Sequence, residues 1–88
     1  MHGMEPSYYT NKALSLIQMK EFKKAQEECE NALRVNPNFA RAYQRLFKCF
    51  LSTGDFNNAK NALQKSQEID PADANNAKDA KTLEQVLT

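Results

Sequence analysis

Tyr9, Ala13, Leu16 and Ile17 fall on one face at helical spacing, and they predict a first helix. Phe22, Ala25, Cys29, Ala32 and Leu33 predict a second in the same way. Only a few residues, around Lys20 and Glu21, lie between them, so the pair forms a tight antiparallel hairpin. Pro37 ends the second helix, because the residue before a proline is pushed out of the α region. Ala42, Tyr43, Leu46, Phe47 and Phe50 predict a third helix, Ser52-Thr53-Gly54-Asp55 a turn, and Phe56, Ala59, Leu63 and Ser66 a fourth helix closed by Pro71. Asp73 is placed to cap a fifth helix, and Ala77, Ala80, Leu83, Val86 and Leu87 follow at spacings of three or four. The aromatic side chains read as core, and Ala25 and Ala59 are small where helices must approach closely.

The two hairpins are copies of one another. A shift of 34 residues lays Tyr9 on Tyr43, Leu16 on Phe50, Glu21 on Asp55, Phe22 on Phe56, Ala25 on Ala59, Val35 on Ile69 and Pro37 on Pro71. One match would be noise; seven at a single offset make an internal repeat.

With Pro6 as its first residue, this repeat resembles the tetratricopeptide repeat. Tyr9, Ala13, Ala25, Ala32 and Pro37 sit on that family's pattern in the first copy, and Tyr43, Phe50, Ala59 and Pro71 in the second. Gly54-Asp55-Phe56 matches the family's turn. The resemblance implies an all-α fold: antiparallel helical hairpins in a right-handed solenoid, two repeats plus a C-terminal capping helix, five helices in all. The implied division is a tail or expression remnant over 1–5, repeats over 6–39 and 40–72, and the cap over 73–88. Leu16, Cys29, Leu63 and Ser66 depart from the pattern, and Phe47 is large where a small residue is usual, so packing in the second hairpin is expected to adjust.

Composition bounds the function. A chain of 88 residues and 10.0 kDa is too short for a barrel, a kinase or a two-domain dehydrogenase. Two Gly, three Pro and little Val or Ile fit a helical protein. No run approaches the ~20 apolar residues of a membrane span. Cys29 and Cys49 read as free thiols in a reducing, cytoplasmic setting. The single histidine, His2, lies in the tail, so no triad or histidine metal site is available, and there is no glycine-rich phosphate loop. The reading is a non-enzyme without a cofactor or metal.

Charge is more informative in its placement than in its sum of +1. No acidic residue occurs between Pro37 and Gly54, yet Arg41, Arg45 and Lys48 recur on one helical face. In a stack of such hairpins the first helices line the concave surface, where a basic stripe would meet an acidic, extended ligand. Some tetratricopeptide domains clamp the two carboxylates at the C-terminus of heat-shock chaperones. Tyr9-Thr10-Asn11-Lys12-Ala13 and Arg41-Ala42-Tyr43-Gln44-Arg45 resemble the strings that carry this clamp. The resemblance implies that Asn11 donates its amide, Arg45 and Arg41 hold carboxylates, and Lys48 meets acidic side chains upstream. Gln44 would bond the peptide backbone, and Leu14 would add apolar contact. The repeat that donates a further Lys and Asn in the full clamp would precede Pro6, where only five residues stand, so the clamp is expected to be partial and its binding weak.

The leading function is therefore a co-chaperone interaction module. Two alternatives stand beside it: a general scaffold for an unrelated peptide, and a fragment that dimerises or exchanges helices through an exposed first helix. Neither nucleic acid nor membrane is an expected partner.

Overall fold

The computed structural model describes residues 5–87, and the expectations placed on residues 1–4 lie outside that range. Five α-helices follow in order: α1 (Pro6–Gln18), α2 (Phe22–Val35), α3 (Ala40–Thr53), α4 (Phe56–Ile69) and α5 (Ala74–Leu87). No strand occurs among the described residues.

Each boundary has a local cause. Pro6 opens α1 at the position where its missing N–H costs nothing. Asn36 is extended and Asp70 likewise leaves the α region because prolines follow them, and this ends α2 and α4. The Asp55 carboxylate caps α4 by accepting from the Asn58 N–H at 3.3 Å. Asp73 does the same for α5, accepting from the Asn75 N–H at 2.8 Å.

The two hairpin turns are built alike. Lys20 and Gly54, one repeat apart, are both left-handed, with φ of 63° and 82°. The Glu21 N–H then reaches back to the Leu16 carbonyl, and the Asp55 N–H to the Phe50 carbonyl, both at 2.8 Å. These bonds satisfy helix-end carbonyls that would otherwise lack partners. The second turn is shorter than the expected four residues. Ser52 and Thr53 remain helical, the Thr53 hydroxyl bonding back to Cys49, and only Gly54 and Asp55 connect α3 to α4.

The core runs along the seam of the hairpins. Ala13, Ala25, Cys29, Ala32, Ala42, Ala59 and Ala62 bring the helices close, and Leu46, Phe47 and Leu63 fill the space between them. Phe47 is 1% exposed and is the largest fully buried side chain. The bulky residue at this departure from the family pattern is thus core, worth roughly 2–3 kcal/mol of burial. Cys29 and Cys49 are free and buried, and desolvation pushes their thiols up to about 12 and about 11. Phe56 proves exposed, since it stands at the open end of α4.

The last helix differs most from expectation. Its buried residues are Asn76, Asp79 and Leu83, with Ala80 half-buried, whereas Ala77 and Val86 face solvent and the Leu87 side chain lies outside the described set. The reason is a polar anchor. Asn76 donates to the carbonyls of Asp70 (2.8 Å) and Ser66 (3.2 Å), and its own oxygen accepts from the Ser66 hydroxyl and the Gln44 amide. These bonds turn the helix so that its amide face, not its alanine face, is covered. Ser66, where alanine is usual, supplies one of the donors.

Candidate functional site

Helices α1, α3 and α5 begin at Pro6, Ala40 and Ala74, each one 34-residue period after the last. Residues with the same rank in these helices therefore form columns across the stack. The sixth residues are Asn11, Arg45 and Asp79; the fifth are Thr10, Gln44 and Lys78; the ninth are Leu14, Lys48 and Thr82. Helix α3 packs against both α1 and α5, so its columns sit at the centre.

Arg41 and Lys48 are exposed, and Arg45 lies half-buried between them along α3. The Arg45 Nε is fully buried and has no hydrogen-bond acceptor, and its guanidinium makes no ion pair among the described residues. Burial, and then the field of Arg41, lower the Arg45 guanidinium from its ordinary value, while Cys29 and Asp79 act the other way. A buried N–H donor without an acceptor is costly. The half-buried guanidinium that carries it borders open space, where an incoming anion would meet the charge.

That space is a polar pocket of about 180 Å³ between α3 and α5. Gln44, Arg45 and Lys48 form one wall, and Asn75, Lys78, Asp79 and Thr82 the other. Arg41 borders a separate, shallow recess of about 320 Å³ that it shares with Asn38 and Asp73. Asn11 is exposed on α1 and Leu14 is half-buried there. Neighbouring Lys12 turns toward α2 and pairs with Glu28 at 3.3 Å. A mostly apolar cleft of about 450 Å³ between α4 and α5, floored by Leu63, Ala80 and Leu83, is larger, but it holds no cluster of cations.

Gln44 is placed differently from the role first assigned to it. It is 4% exposed, and its amide donates to Asp73 at 3.0 Å and to Asn76 at 3.2 Å. Its donors are thus committed to holding α5. The Asp73 carboxyl lies below its ordinary value because of the Asn75 N–H, then the Gln44 amide, with Arg41 adding to the effect. The α5 side of the pocket escaped the sequence reading. Carrying the same offset one helix further, from Arg45 to Asp79 and from Gln44 to Lys78, would have found it.

Among the described residues no group of His, Cys, Asp and Glu could hold a metal ion, and no helix is long and apolar enough to cross a membrane.

Comparison with known proteins bears on these features. The family profile described as "Tetratricopeptide repeat" matches residues 16–83. The small glutamine-rich tetratricopeptide repeat-containing protein 2 of Mycosarcoma maydis is 33% identical over 67 residues, covering 76% of this chain and 19% of that protein. The Hsp70/Hsp90 co-chaperone CNS1 of Saccharomyces cerevisiae is 33% identical over 70 residues, covering 78% of this chain and 18% of that one. The chain thus spans less than a fifth of either relative. Among solved structures, the first TPR of Spaghetti (RPAP3) bound to HSP90 peptide SRMEEVD superposes with a TM-score of 0.83. It is 23% identical, covering 94% of this chain and 66% of that one, and at that identity the likeness shows the fold.

Proposed function

Because the chain belongs to the tetratricopeptide repeat family, whose repeats serve as interaction modules, we propose that it binds the acidic C-terminal peptide of heat-shock chaperones, as part of a cytoplasmic co-chaperone. The site is a partial carboxylate clamp on the concave face. Arg45 carries the reading: a half-buried guanidinium, its Nε desolvated and without an acceptor, at the centre of the column that runs from Asn11.

The chemistry follows from the side chains. Arg45 offers the terminal nitrogens of its planar fork to the terminal carboxylate. Arg41, one turn earlier on α3, takes the second carboxylate, that of the terminal Asp side chain. Asn11 donates from α1 without adding charge. Lys48 faces acidic residues upstream, and Leu14 offers apolar contact beside Asn11. Gln44 supports the site through α5. The arrangement recognises a free C-terminus, a mode in which most of the charge-assisted bonding is concentrated at one end of the peptide.

The test is a titration of SRMEEVD, with a free C-terminus and with an amidated one, followed by fluorescence anisotropy. The free acid is expected to bind at least tenfold more tightly. Equal affinity for the two forms overturns the clamp.

A further inference from the structure

Asp79 occupies the sixth place of α5, the rank held by Arg45 in α3 and Asn11 in α1. It is 7% exposed, yet it neither accepts a hydrogen bond nor forms an ion pair among the described residues. Its carboxylate stands in the wall of the pocket it shares with Arg45, Lys48 and Lys78. The charged groups that act on it are Lys48, Asp73, Lys78 and Arg45, three cations against one other carboxylate.

A buried carboxylate beside an unpaired arginine normally closes into an ion pair. Here it does not: Arg45 and Asp79 share the pocket without coming within 4 Å of one another. An anionic ligand that reaches Arg45 therefore meets the cations and, in the same enclosed space, a like charge. The burial of Asp79 and the half-burial of Arg45 reduce screening by water and strengthen both the attraction and the repulsion.

We infer that Asp79 is a built-in counter-charge on the capping helix that lowers the affinity of the pocket for anionic peptides and narrows which of them it accepts. The inference rests on the clamp proposed above. It makes α5 part of the recognition surface and not only a cover. A ligand whose acidic groups crowd the α5 side is disfavoured, and one that places a single carboxylate on Arg45 is tolerated.

The experiment compares the wild-type chain with Asp79→Asn and Asp79→Ser, using SRMEEVD with a free C-terminus at low and at high salt. Glu68→Gln, which removes an exposed carboxylate on α4 away from the pocket, controls for net charge. Both Asp79 variants are expected to bind about 3- to 10-fold more tightly at low salt, with the gap narrowing at high salt. Glu68→Gln is expected to leave affinity unchanged. Binding by the wild-type chain with equal or weaker binding by both Asp79 variants overturns this inference alone. Absence of binding by every chain overturns the clamp and this inference with it.

Discussion

The side-chain amide of Gln44 on α3 donates to Oδ1 of Asn76 on α5 at 3.2 Å, across a contact from which water is excluded. Asn76 uses both of its N–H donors and its carbonyl oxygen, so the amide is satisfied on every side. Helix α5 has the lightest packing in the fold. Its seat therefore depends on this amide more than on apolar area. Replacing Asn76 with Ala removes four hydrogen bonds at once and leaves the buried Ser66 hydroxyl without an acceptor, and the expected loss is about 2–4 kcal/mol. Ser66→Ala removes one donor and is expected to cost about 1 kcal/mol. Urea unfolding measures both; an Asn76→Ala chain as stable as the wild type would show that the amide does not anchor α5.

The repeated turn gives a second expectation. Lys20 adopts the left-handed conformation that Gly54 adopts one repeat later. A side chain makes that conformation unfavourable, and glycine relieves it. Lys20→Gly is expected to stabilise the chain by about 0.5–1 kcal/mol, and Gly54→Ala to destabilise it by about 1 kcal/mol. No atom lies near enough to Gly54 for a methyl group to clash, so the loss is backbone strain alone. Thermal midpoints that move in the opposite directions would refute this account of the turns.

The two cysteines are expected to be inert in the folded chain. Burial holds their thiols at about 12 and about 11, so almost no thiolate exists at neutral pH. A thiol-reactive chromophore at pH 8 should label neither Cys29 nor Cys49 until denaturant is added, when both react. Rapid labelling of the native protein would show that one of them is accessible.

Asp79 also gives a pH dependence with a definite sign. Burial raises its carboxyl above the ordinary range, while Lys48, Lys78 and Arg45 only partly oppose the shift. Between the ordinary and the raised values the folded chain holds a proton that the unfolded chain has released. Its contribution to stability is therefore present in acid and lost as pH rises through the raised value. Asp73 has the opposite sign, its contribution being lost as pH falls through its lowered value. The difference between Asp79→Asn and wild type isolates the first effect: the variant is expected to be the more stable at pH 7, with the gap closing toward pH 4. A gap that does not change with pH would mean that Asp79 titrates normally.

Most of the fold was legible in the sequence, for a physical reason. Helices α1 to α4 bury apolar faces, so Tyr9, Ala13, Cys29, Leu46 and Leu63 mark them directly, and the offset from Pro37 to Pro71 fixes their repeat. Helix α5 was legible as a helix but not in its orientation. Its buried face is polar, and periodicity counts only apolar residues. The partner that orients Asn76 lies 32 residues away at Gln44, a distance at which no local pattern operates. The same contact explains why Gln44 looked free for a ligand. The α3 part of the candidate site was visible as a basic stripe, whereas its α5 wall required the geometry to bring Lys78 and Asp79 opposite Arg45.

The central claim is that Arg45 receives a carboxylate. Calorimetric titration of wild type and Arg45→Ala with free-acid and amidated SRMEEVD tests it most directly. If Arg45 holds the terminal carboxylate, the substitution weakens the free acid at least tenfold, about 1.4 kcal/mol, and leaves the amidated peptide within about twofold. An equal loss for both peptides, or no loss for either, would contradict the account.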